Sequence, residues 1–156
     1  MVKVVSIFVV SLVVISQSAL AVAPKITKTF NPESIGANEF VTMAIGFINP
    51  NSQAARFTAP FSEILPTGMI ILGSASTSCG GTLTAEKGSS IVILKDAKIP
   101  AYSSCHILLG VTATTAGSFE SKTEASALQT DRGNNSRSSD AILQVLRPGL
   151  SNSKAK

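Results

Sequence analysis

The residues with the most chemical potential in this sequence are one histidine, His106, and two cysteines, Cys79 and Cys105. A serine or cysteine nucleophile needs a base within reach, so any Ser-His or Cys-His mechanism would have to use His106. The sequence holds no Gly-x-Ser-x-Gly elbow to present a serine. His106 therefore reads as a surface residue on a strand. A zinc centre on Cys79, Cys105 and His106 is the competing idea. It has three donors, two of them sequence neighbours, which matches no common zinc spacing. The sequence thus points to no catalytic residue, no metal and no cofactor.

The two cysteines are better used on each other. They are an even pair in a chain that reads as exported, and a disulfide is the default in an oxidising compartment. Closing a loop over their separation of 26 positions should stabilise the fold by roughly 3.5 kcal/mol on the chain-entropy model. The expected place for the Cys79–Cys105 bond is the core, between facing sheets. Glu63 precedes Leu65-Pro66 and is expected to satisfy backbone N–H groups at that turn. Leu65-Pro66-Thr67-Gly68 is close to a sortase recognition sequence but lacks a residue between Pro and Thr, so it reads as a turn. Asn134-Asn135-Ser136 fits a glycosylation acceptor and reads as a polar loop. Asp131, Asn134, Asn135 and Asp140 offer oxygen ligands for calcium in the 131–140 loop without EF-hand spacing. A Lys–Asn isopeptide crosslink would need a buried lysine, for which Lys28, Lys95 and Lys122 are the candidates.

Export is read from the first residues. Met1-Val2-Lys3 leads into an apolar run from Val4 to Ile15, a polar Ser16-Gln17-Ser18 exit, and the small residues Ala19, Ala21 and Ala23. These are the parts of a secretory leader. Cutting after Ala21 is preferred, because cutting after Ala23 would leave Pro24 next to the scissile bond. A retained anchor is the rival, but a span needs about 20 apolar residues and this run is shorter. The expected division is a signal peptide over 1–21, one domain over 22–146 and a basic flexible tail over 147–156. The formal net charge is +4, yet nine bases and nine acids lie between Val22 and Leu146. A neutral body argues against nucleic acid, which needs a basic stripe on the fold itself.

The mature chain alternates in strand fashion. Ile26, Lys28 and Phe30 share one face, as do Val41, Met43, Ile45 and Phe47, and again Cys105, Ile107, Leu109 and Val111. Asn49-Pro50-Asn51-Ser52, Leu65-Pro66-Thr67-Gly68, Cys79-Gly80-Gly81 and Glu86-Lys87-Gly88-Ser89 punctuate it as turns. A hairpin is expected between Thr82–Ala85 and Ser90–Leu94. Seven to nine short strands with recurrent turns indicate an all-β, immunoglobulin-like β-sandwich with one disulfide, a closed barrel being the alternative.

The order of the turn motifs is more specific than the strand count. Phe30-Asn31-Pro32-x-x-Ile35, Asn49-Pro50-Asn51, Glu63-x-Leu65-Pro66-x-Gly68, Cys79-Gly80-Gly81-Thr82, Ser104-Cys105 after Pro100, and Thr114 to Ser118 follow one another from Lys25 to about Val145. This series resembles the disulfide-bearing subset of the bacterial DUF11-like conserved-repeat domains. Glu63 stands where that subset prefers Asp and Phe119 where it prefers Tyr. The resemblance implies an immunoglobulin-like sandwich of exported and cell-surface proteins, and no active site. The resulting expectation is a secreted, periplasmic or cell-surface module that binds or adheres to a protein or glycan partner, with no membrane span left after cleavage. A structural subunit that assembles by donating the Lys25–Phe30 strand is the alternative.

Overall fold

A strand turns alternate side chains to opposite faces, so a period of two in the sequence becomes one buried and one wet face. The computed structural model describes residues 20–147. Residues 1–19 of the expected leader and 148–156 of the expected tail lie outside the described residues. In chain order the strands are β1 (Lys25–Asn31), β2 (Ser34–Gly36), β3 (Val41–Asn49), β4 (Ala55–Arg56), β5 (Phe61–Ile64) and β6 (Met69–Thr77). They continue with β7 (Thr82–Thr84), β8 (Ile91–Lys95), β9 (Lys98–Ile99), β10 (Ser103–Ala113), β11 (Gly117–Thr123) and β12 (Ser139–Leu146). Among the described residues twelve strands replace the expected seven to nine. The excess lies in two- and three-residue pieces, too short to leave a periodic trace in sequence.

An antiparallel sheet in the order β1-β3-β10-β6 forms one layer. Opposite it stand β11-β12-β2, with β2 parallel to β12, and β5-β8-β7. The pair β4-β9 closes one side. Thr82 pairs with Lys95, which makes β7 and β8 the expected hairpin.

The layers meet through the side chains that the alternation selects. Val41, Met43, Ile45 and Phe47 of β3 and Ile107, Leu109 and Val111 of β10 are fully buried. Phe47 stands edge-on to Phe57 at 5.5 Å and to Phe61 of β5 at 4.9 Å between ring centroids, a geometry that adds about 0.5–1.5 kcal/mol to area burial. Hydrophobic burial of this inner face against Phe61 and the strands opposite holds the sandwich together.

Candidate functional site

Each residue singled out by sequence has a definite place. Cys79 and Cys105 form a disulfide with Sγ–Sγ 2.05 Å and Cα–Cα 5.0 Å. It does not run between facing sheets. Thr77 of β6 stands opposite Ile107 of β10, so two residues on Cys79 continues that register to Cys105. The bond joins neighbouring strands of one sheet, where the chain leaves β6 to enter β7. His106 is exposed and its Nδ1 lies 3.2 Å from Ser78 Oγ.

In the 131–140 loop, Asp131 and Asn135 spend side-chain oxygens on backbone N–H groups outside the loop. Asp131 Oδ1 accepts from Arg56 N–H at 2.9 Å. Buried Asn135 accepts from Leu128 N–H at 2.8 Å and donates to the carbonyls of Glu124 and Arg137. Among the described residues no cluster of three or more His, Cys, Asp or Glu forms a metal-binding group.

Glu63 departs most from expectation. Its side chain satisfies no turn backbone. It is 2% exposed and faces Lys28, whose side chain is 0% exposed, with Nζ to Oε1 2.6 Å. Ser121 Oγ accepts from Lys28 Nζ at 3.0 Å and donates to Glu63 Oε1 at 2.8 Å, while Thr123 Oγ1 donates to Oε2 at 2.7 Å. Three strands, β1, β5 and β11, thus meet at one ion pair inside the sandwich. Burial pulls the Lys28 ammonium below the ordinary lysine value of 10.5, and the hydrogen bond and charge of Glu63 oppose that pull. The sequence carried half of this signal, since Lys28 falls on the inward face with Ile26 and Phe30. That Glu63 is its partner could not be read, because 35 positions separate them. The hydrogen-bond partners of Lys28 are Glu63 and Ser121, and neither is the asparagine that an isopeptide bond requires.

The outer face of the four-stranded sheet is a broad surface assembled across strands. Cross-strand register places Thr27, Gly46 and His106 in one row, Thr29, Ala44, Leu108 and Ser76 in the next, and Asn31, Thr42 and Gly110 in a third. These rows hold one titratable group, His106, and the row beyond Thr27, made of Lys25, Ile48 and Ser104, adds one lysine. A Cβ at Gly46 would stand 2.5 Å from Thr27 Oγ1, and one at Gly110 2.6 Å from Phe40 Cε2. Both glycines therefore let a neighbour lie flat across the sheet. Beside Leu108 and the half-exposed Phe40, the bulged part of β6 at Gly73–Ser76 borders a shallow depression of about 390 Å³. Apolar and hydroxyl side chains line that depression.

Comparison with known proteins follows the fold. A family profile described as a domain of unknown function, DUF7933, matches residues 24–145. No curated protein matches. Among solved structures, the bacterial hydrophobin BslA aligns with TM-score 0.57 at 13% identity, over 83% of this chain and 98% of its own. A non-cellulosomal cohesin from the hyperthermophilic archaeon Archaeoglobus fulgidus aligns with TM-score 0.51 at 6% identity, over 80% and 92%. The collagen-binding domain of a Staphylococcus aureus adhesin aligns with TM-score 0.51 at 15% identity, over 80% and 98%. At such identities the likeness is one of fold, and the fold is an immunoglobulin-like β-sandwich.

Proposed function

Because the chain belongs to the family described as a domain of unknown function, DUF7933, we propose its function from its surface: a non-catalytic module that binds a protein or glycan at the cell surface through the outer face of β1-β3-β10-β6. The observation that carries this reading is the composition of that face. Small and hydroxyl residues lie in register across its strands, with Phe40 and Leu108 exposed beside them. A face poor in charge costs little to desolvate, and exposed apolar side chains supply the gain on contact. The cohesin and collagen-binding neighbours support the reading by analogy of fold alone. The order of turn motifs further supports kinship with the DUF11-like group, and the leader and disulfide support work outside the cytoplasm.

Cosedimentation of the mature protein with isolated cell envelopes tests the proposal. Ala44→Arg puts a long cation in the middle of the face without touching the core, and it should weaken binding about tenfold or more. Equal binding by this variant, with its melting temperature unchanged, would show that the face is not the contact.

Self-assembly by strand addition is the second reading. All seven residues of β1 are already paired with β3 of the same chain. Donating β1 would break that ladder, and the edges offered for addition are instead the outer sides of β1 and β6, the two end strands of the sheet. Sedimentation that finds a strict monomer at high concentration removes it.

A further inference from the structure

The Asn49-Pro50-Asn51 turn has a use that neither the sandwich nor its outer face requires. Asn49 is 1% exposed, and its Nδ2 donates to the carbonyls of Gln53, Ile99 and Pro100. Its Oδ1 accepts from Asn51 N–H at 3.0 Å and from Asn51 Nδ2 at 2.8 Å. The Asn51 carbonyl in turn accepts from Tyr102 N–H at 2.9 Å. Held in this way, the Asn51 amide faces the chain ahead of β1. Its Oδ1 accepts from Val22 N–H at 2.7 Å, and its Nδ2 donates to the Val22 carbonyl at 2.8 Å. One side chain thus grips both main-chain groups of one residue, as a neighbouring strand would.

The grip stops at Val22. Leu20, two residues earlier, is 94% exposed against 54% for Val22, so the fold holds the gripped residue more closely than the one ahead of it. Pro24, two residues later, is buried at the entrance to β1. We infer that a leader peptidase reading small residues cuts between Ala21 and Val22, and that Asn51 is the receptor for the N-terminus so formed. In that hydrolysis water adds across the Ala21–Val22 amide. The hydroxyl goes to the Ala21 carbonyl carbon as carboxylic acid. The Val22 nitrogen keeps the bonding electron pair and takes the proton.

At neutral pH the new amine is largely an ammonium, and its hydrogen bond to Asn51 Oδ1 becomes charge-assisted, about twice as strong as the amide bond it replaces. Cutting after Ala23 would discard the gripped residue. Cutting after Ala19 would keep the exposed Leu20.

Full-length chain expressed with export intact, then purified from outside the cytoplasm, provides the test. Intact mass and N-terminal sequencing should find Val22 first. A chain starting at Met1, Leu20 or Pro24 overturns the inference. The receptor role is read separately from the rate at which an amine-selective ester labels the Val22 α-amine at neutral pH, with lysines as internal standards. Asn51→Ala should raise that rate about fivefold. An unchanged rate removes the role of Asn51. If Asn51→Ala does not fold, wild-type protein in urea serves as the unprotected reference, and equal rates in native and unfolded protein count against the receptor.

Discussion

Lys28 lies on β1 between Ile26 and Phe30, all three turned inward, and its amine would be very costly there without a partner. Glu63, Ser121 and Thr123 supply one. Removing one member of a buried pair leaves the other charge uncompensated, whereas removing both restores an apolar site. Lys28→Met should therefore destabilise the domain by about 3–5 kcal/mol, and Lys28→Met with Glu63→Leu should recover most of that loss or exceed wild type. Urea unfolding of the two variants measures both values. A double variant no more stable than the single one would mean that Ser121 and Thr123, left without Glu63, carry the cost. An inward lysine on an edge strand is also a known guard against stray pairing, which fits the position of β1 at one end of its sheet.

At the scale of elements, the Cys79-Gly80-Gly81 bend and the disulfide act together where the chain leaves β6 for β7. Gly80 and Gly81 have φ of 68° and 76°, a region costly to residues with a Cβ. Their surroundings differ. Nothing lies within 4 Å of a Cβ at Gly80, while one at Gly81 would stand 2.1 Å from the Lys95 carbonyl oxygen of β8. Gly80→Ala should cost about 1–2 kcal/mol, the left-handed penalty alone. Gly81→Ala should cost distinctly more, because β8 must also move. Thermal unfolding of the pair checks the order, and equal losses would count against the close approach. Replacing Cys79 and Cys105 together by Ala should lower stability by roughly 3.5 kcal/mol, the loop-closure value for this separation. Urea titration measures it against wild type.

For the whole molecule, the long strands, their inward faces, the β7–β8 hairpin and the pairing of the cysteines were legible in sequence, because each rests on a period of two or on turn chemistry that acts within a few residues. Neighbourhood was another matter. Sequence put the disulfide between sheets, but strand order makes β6 and β10 partners and turns it into a bond within one sheet. Glu63 looked like a turn residue because Leu65-Pro66 follows it, and only the packing of β1, β5 and β11 reveals the lysine it serves. Asn51 looked like turn punctuation for the same reason. The outer face of the sheet could not be assembled from sequence, since its rows are drawn from four strands whose order no local pattern gives. What the chain settled by itself is which side chains face inward, through alternation. What the tertiary structure decided is which strands become neighbours, because sheet order and register are set by burying all inner faces at once, a condition no short stretch of sequence contains.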